Sequence, residues 1–306
     1  MERREIGQYG RVKRYPDGTV ELMAADRPLF GWSGWEEVGA HRIKSHKSNN
    51  EATPRAAASD PENIERAARR ARAKLRDIAL CTPFRYFVTL TLDREKVDRY
   101  DMAVITKKLN NWLDNQVRRH GLSYVLVPER HRDGAIHFHG FFNDALPVID
   151  SGTLTNIPGR KRPGRPRSEA QRKTWLEAGA RVVYNLPAWH LGFTTAIELY
   201  GEYSKAVAYV CKYIGKQTRA ADPRGAAAEA LPAGKVGGRW YYSGGDLGAP
   251  AVEYATLDVR AVAELPGSYT FSVPEAGASF AVWRGKENSC TENSGAETAP
   301  GGGAEP

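Results

Sequence analysis

The chain has 306 residues, 41% hydrophobic and 26% charged, which is enough apolar material for a sizeable core in one large domain or two modest ones. Lysine and arginine (44) outnumber aspartate and glutamate (36), giving a net charge of +8 that fits a nucleic-acid partner. The three cysteines, Cys81, Cys211 and Cys290, are too few and too far apart for a disulfide framework or a cysteine zinc site, and no run approaches 18 apolar residues, so a cytoplasmic protein without a membrane partner is expected.

Residues 1–60 read as a polar, partly flexible segment without an apolar signal core at the N-terminus, with aromatics at Trp32 and Trp35 and loop histidines at His41 and His46. Asp60 and Pro61 suit the cap and first turn of an alanine-rich helix that Pro83 ends. Arg66, Arg69, Arg70, Arg72, Lys74 and Arg76 on that helix fit either a backbone-contacting surface or an ordinary solvated face. Residues 85–92 alternate as a strand, with Val88, Leu90 and Leu92 on one face and Phe87, Thr89 and Thr91 on the other. Ile105, Leu109, Trp112, Leu113 and Val117 follow helical spacing over 101–120, and Gly121 stops that helix. Strands over 123–131 and 135–142 are joined by Arg132-Asp133-Gly134. Residues 144–188, rich in Pro, Gly and Arg, read as an insertion. A strand over 192–200, a helix over 202–217, a strand within 238–245 and short strands within 251–283 follow. The acidic stretch 286–306 reads as a disordered tail. Mixed strands and helices with dominant hairpins predict an α+β fold built on a mainly antiparallel sheet, with the principal domain over 61–285.

His137-Phe138-His139 places two histidines at i and i+2 on a strand, hence on one face, with Phe138 turned to the core. A three-residue loop wants glycine third, which Gly134 supplies, and such a loop pairs His131 with Ala135 and Glu129 with His137. Glu129 then shares the histidines' face; a strict two-residue turn would flip it to the other. Two imidazoles and a carboxylate suit a divalent ion, Mg²⁺ or Mn²⁺, with His131 as reserve ligand. On the helix over 202–217, Tyr209 and Tyr213 stand at i and i+4, each followed three residues later by a lysine, Lys212 and Lys216. A phenol that attacks phosphate near neutral pH needs help, from a metal on the phosphate oxygens or from a lysine beside the developing charge.

The order Phe87–Leu92, Glu129 with His137-Phe138-His139, then Tyr209 to Lys216 resembles the three motifs of HUH endonucleases that initiate rolling-circle replication of phages and plasmids. The resemblance spans about 85–217, and two tyrosines spaced by three residues resemble the two-tyrosine type. It implies a five-stranded, mainly antiparallel central sheet with flanking helices, the HUH or RRM-like palm. It also implies that the chain nicks and rejoins single-stranded origin DNA through a 5′-phosphotyrosine. Tyr209, Tyr213, Lys212 and Lys216 would be catalytic, and His137, His139 and Glu129 would hold the metal. No Gly-x-x-x-x-Gly-Lys phosphate loop is present, so a host helicase and polymerase are the expected partners, in a bacterial cytoplasm. A single-tyrosine, transposase-like nuclease and a non-catalytic DNA-binding regulator on the same scaffold are the alternatives.

Residues 157–173 carry seven basic side chains and one acid, and Arg160, Lys161, Arg162, Arg165 and Arg167 are the DNA-binding candidates. Their Gly-Arg-Pro core resembles an AT-hook arm for a narrow minor groove, and a solvated loop gripping phosphates is the other reading. Trp32, Trp35, Trp240, Tyr241 and Tyr242 either fill the core or stack on unpaired bases.

Overall fold

The computed structural model describes residues 3–5, 9–27, 30–32, 61–131, 133–199, 201, 203–217, 235–236, 238–273 and 278–286. Trp35, His41, His46, the cap at Asp60, Arg132 and the tail beyond 286 lie outside the described residues, as does the Trp32 side chain. The chain divides into two compact units, one made of residues 1–50 with 250–306 and the other of residues 51–249.

The first unit is built from both ends of the chain. A short ribbon pairs β1 (Arg3–Glu5) with β4 (Phe30–Trp32). β2 (Gly10–Arg14) and β3 (Thr19–Ala25) form a hairpin whose turn is Pro16-Asp17-Gly18, with Asp17 accepting from the Thr19 backbone NH at 2.9 Å. Their remaining partners arrive some 230 residues later, in a five-stranded antiparallel sheet completed by the last three strands of the chain. A helix there packs Val262 against Val12, Val20, Ala24, Ala281 and Trp283. Within residues 1–60, read from sequence as a polar segment, β2 and β3 are thus paired strands whose long-range partners no local pattern reveals.

The second unit carries the candidate site. α1 (Pro61–Cys81) leads into β5 (Tyr86–Leu92). Asp101 caps α2 (Met102–His120) by accepting from Ala103 and Val104, and Gly121 ends it at φ 71°. β6 (Tyr124–Arg130) and β7 (Ile136–Phe142) form a hairpin. The stretch 144–188 contains β8 (Ile149–Thr155), α3 (Glu169–Glu177) and β9 (Arg181–Asn185). β10 (Gly192–Glu198), α4 (Tyr203–Lys216) and β11 (Tyr242–Gly244) follow, and then the first unit's β12 (Ala251–Ala255), α5 (Val259–Glu264), β13 (Tyr269–Val273) and β14 (Ala278–Lys286).

The sheet order is β11-β6-β7-β5-β10-β9-β8, with every pair antiparallel. The α+β class and the antiparallel sheet agree with the sequence reading. The five strands expected are extended by β9 and β8, because the insertion folds onto the sheet edge with a small core of its own around Leu154, Ile157 and Ala180. Alternation divides the two faces. Val88, Leu90, Leu126, Phe138 and Phe142 pack against Ile105, Leu109, Trp112 and Leu113 of α2. On the opposite face, Val125, Val127 and Phe141 pack against Leu75 and Ile78 of α1 and Val207, Val210 and Ile214 of α4. β7 is buried on both faces, so Phe138→Ala would cost on the order of 3–5 kcal/mol. Trp240 and Tyr242, candidates for base stacking, are core residues on opposite faces of this sheet, and Tyr241 is half-buried beside the same core.

Candidate metal centre and tyrosine helix

The β6–β7 turn fixes the register of the site. The His131 backbone NH donates to the Ala135 carbonyl at 2.8 Å, and Gly134 donates to the His131 carbonyl at 2.9 Å. Gly134 has φ 85°, the left-handed position that a three-residue hairpin loop requires. Glu129 therefore pairs with His137 and Val127 with His139, as the loop length in the sequence predicts. At Gly140 the strands approach so closely that a Cβ would lie 1.8 Å from the Val125 carbonyl oxygen, so only glycine fits between them.

Glu129 Oε2 lies 3.0 Å from His137 Nε2 and 2.9 Å from His139 Nε2, and the two Nε2 atoms are 3.0 Å apart. These three residues form a group able to hold a metal ion. Octahedral ligands about 2.1 Å from an ion stand about 3.0 Å apart, so the triangle matches one face of an octahedron and leaves the other face for water or phosphate oxygens. Three converging acceptor atoms also need a shared cation or proton to be satisfied together. Thr89 Oγ1 lies 3.1 Å from His139 Nδ1; with Nδ1–H donated to that hydroxyl, Nε2 presents its lone pair to the triangle. Burial lowers the pKa of His139 against the raising effect of its hydrogen bond to Glu129, which favours the neutral, ligating ring. Burial alone would raise Glu129, but hydrogen bonds with His137, His139 and Lys216 outweigh it and hold the carboxyl well below the usual range. His131 stands outside the triangle, its exposed ring edge-on to His137 with centroids 4.0 Å apart.

α4 lays its tyrosines over this cluster. Tyr213 is buried, with its ring stacked on His139 at 4.2 Å and 8°. Its hydroxyl donates to the Tyr209 hydroxyl at 2.7 Å. Burial first, then the Tyr209 hydroxyl and the Glu129 charge, push the Tyr213 pKa far up. Tyr209 is 49% exposed, so its oxygen is open to an incoming substrate. Phe87 lies near-parallel to His139 and edge-on to Tyr209. Lys216 Nζ reaches Glu129 Oε1 at 2.5 Å and sits 4.8 Å above the Tyr213 ring. Lys212 is exposed, and among the described residues no hydrogen bond or ion pair joins it to the cluster. Gln217, buried at the end of α4, donates to the carbonyls of Pro128 and Trp240 and fastens the helix to β6.

The structure thus brings Glu129, His137, His139, Tyr209, Tyr213 and Lys216 together and leaves Lys212 outside. Thr89 and Phe87 join them; strand alternation had placed both on the right face, but their contacts depend on β5 pairing with β7, Thr89 opposite His139. Arg160, Lys161, Arg162, Arg165 and Arg167 lie on the exposed surface of the insertion. Arg160 stacks over Trp175 at 5.0 Å, and Gly164 exchanges two 2.9 Å backbone hydrogen bonds with Leu154, so this loop is fastened to β8.

An antiparallel palm that presents a metal-ligand triangle beneath a helix with two tyrosines defines a class of phosphoryl-transfer scaffold. Residues 85–218 match the family model described as replication-associated protein ORF2/gene II protein, a span that holds the whole cluster and supports a replication-associated, Rep-like protein. No curated protein and no solved structure matches the chain. Among the described residues, no helix is long and apolar enough to cross a membrane.

Proposed function

We propose that the chain is a metal-dependent, single-stranded DNA nickase and strand transferase of the two-tyrosine HUH type, which starts rolling-circle replication of a phage or plasmid. The observation that carries this reading is the stacking of Tyr213 on His139 with its hydroxyl 2.7 Å from that of Tyr209, which sets two phenols beside a triangle of metal ligands. Glu129, His137 and His139 would hold Mg²⁺ or Mn²⁺, which as a Lewis acid polarises the scissile phosphate.

Tyr209, the exposed phenol, is the first nucleophile. Its oxygen attacks phosphorus as its proton leaves. The P–O3′ bond breaks, and the 3′-oxygen takes up a proton and departs as a hydroxyl. The product is a 5′-phosphotyrosine, which a later 3′-hydroxyl can attack to rejoin the strand. The Tyr213 hydroxyl, donating to Tyr209, stabilises the phenolate that develops there and stands ready for a second cleavage. Lys216 holds Glu129 in place and adds positive charge beside the reacting oxygens. Unwinding and extension fall to a separate helicase and polymerase.

The test is a denaturing protein gel after incubation with labelled single-stranded DNA from the chain's own replicon, in Mn²⁺, Mg²⁺ or EDTA. Wild type should give a metal-dependent covalent band. Tyr209→Phe and His137→Ala should lose it, and Tyr213→Phe should slow it. Intact DNA binding with no adduct in any metal overturns the nuclease reading in favour of a DNA-binding regulator. An adduct that persists in Tyr209→Phe and vanishes in Tyr213→Phe reverses the assignment of the nucleophile.

A further inference from the structure

The sheet face that carries the metal cluster is only partly covered by α1 and α4. Three cross-strand rows continue from the cluster across β5 and β10 towards the insertion. Glu129 pairs with His137, His137 with Thr91, and Thr91 with Phe193. His139 pairs with Thr89, and Thr89 with Thr195. Phe141 pairs with Phe87, Phe87 with Ile197, Ile197 with Val183, and Val183 with Thr153. Neighbouring strands lie about 4.8 Å apart, which puts Phe193 about 10 Å from His137 along one row.

Phe193 is 67% exposed in the middle of a sheet. Its neighbour Ala196 packs into the α2 core, so alternation turns Phe193, Thr195 and Ile197 to the metal-bearing face. Beyond them lies a groove of about 300 Å³, lined by Thr153, Thr155, Asn185, Thr195, Pro163 and Arg165 among others. The paired backbone hydrogen bonds between Gly164 and Leu154 hold Arg165 at this groove instead of on a free arm. Arg172, bonded to Asp150 at 2.5 Å, ties α3 to β8 beneath it.

A flat aromatic face, hydroxyl and amide groups and a guanidinium, in line with a phosphate-gripping metal site, match an unpaired strand. Its bases present open faces for stacking and its phosphates accept from arginine. A duplex hides those base faces within its own stack. We propose that β10 with the insertion strands β9 and β8 forms a track for single-stranded DNA leading to the metal cluster. Phe193 is its base-stacking platform and Arg165 its phosphate contact. The proposal rests on the nickase reading for its direction towards the cluster, and it makes the insertion the element that selects the strand.

The experiment uses the full chain with both Tyr209 and Tyr213 changed to Phe, so that no chemistry occurs, and measures fluorescence anisotropy of a labelled oligo-dT strand in EDTA across a salt series. Phe193→Ala should weaken binding by about 5- to 100-fold, the range for losing one stacked base. Phe193→Trp should restore it. Arg165→Ala should weaken binding and flatten the slope of log affinity against log salt by about 0.7, the value for one phosphate contact on a single strand. Circular dichroism melts of both alanine variants should match the parent, since neither side chain is buried. Unchanged oligo-dT affinity in Phe193→Ala overturns the track, as does an equal loss for duplex and single strand. The adduct gel separates the two ideas. An adduct in wild type together with an unaffected Phe193→Ala removes the track and keeps the nickase. Phe193-dependent binding with no adduct in any metal removes the nickase and keeps the track.

Discussion

His139 is held from three directions. Its Nε2 faces Glu129 and His137, its Nδ1 meets the Thr89 hydroxyl, and the rings of Tyr213 and Phe87 lie near-parallel to its plane. A ligand fixed in this way loses little freedom on taking up an ion, which is how partners behind the ligand tune metal affinity. The Thr89 hydroxyl is the polar partner behind the ring, and Thr89→Val removes it while keeping the branched shape of a strand residue. Mn²⁺ affinity measured by calorimetry should then fall by about 10- to 100-fold, with the melting temperature of the metal-free protein nearly unchanged. Undiminished Mn²⁺ affinity in Thr89→Val would show that stacking alone orients the ring. Lys212 and Lys216 show how far sequence spacing reaches. Each follows a tyrosine by three residues, yet Lys216 sits in the last turn of α4, where Gln217 pins the helix to β6 beside Glu129, while Lys212 faces solvent. The helix phase alone does not separate them; the docking of the helix end does.

The hairpin between β6 and β7 acts as a switch for the whole site, because side chains alternate and one residue of slip turns a strand over. Deleting Asp133 leaves a two-residue loop and drives Glu129 towards the α2 core, away from His137 and His139. Mn²⁺ binding should be abolished by this deletion and retained in Asp133→Ala, which keeps the loop length and loses only the 3.1 Å bond to the Ala135 NH and the ion pair with Arg99. Retained metal binding in the deletion variant would mean that the register is set elsewhere in the sheet. The turn is also where the sequence was most informative: glycine third in the loop and period-two alternation were enough to place Glu129 opposite His137. The insertion was illegible for the converse reason. β8 buries only Leu154 fully, and it bulges between Asp150 and Thr153 with Gly152 at φ 72°, so neither alternation nor an apolar run marks it as a strand. β9 is recognisable only once β10 and β8 lie on either side of it. The rows that carry Phe193 and Thr195 towards Arg165 inherit that difficulty, since they arise from pairing and have no counterpart in local sequence.

Each of the two units closes its own core. The clusters around α2, around α1 and α4, and within the insertion draw only on residues from 64 to 247, and the cluster around α5 draws only on residues from 12 to 24 and 255 to 283. The first unit, however, is assembled from the two ends of the chain: β14 pairs with β3, and β12 with β2. This connectivity predicts an unusual response to truncation. Removing residues 1–50 alone takes β2 and β3 from the middle of a five-stranded sheet, exposing Val262, Ala281 and Trp283 and opening two strand edges. Removing both ends, to leave 51–249, discards that sheet whole and keeps every residue of the metal cluster, the tyrosine helix and the track. The shorter fragment should therefore be the better behaved. It should melt cooperatively and gain melting temperature on addition of Mn²⁺, as a native state that binds an ion must. The 51–306 chain should aggregate on heating, seen by light scattering. A fragment 51–249 that fails to melt cooperatively while 51–306 does so would show that the first unit is needed to fold the second, and would tie the metal site to both ends of the chain.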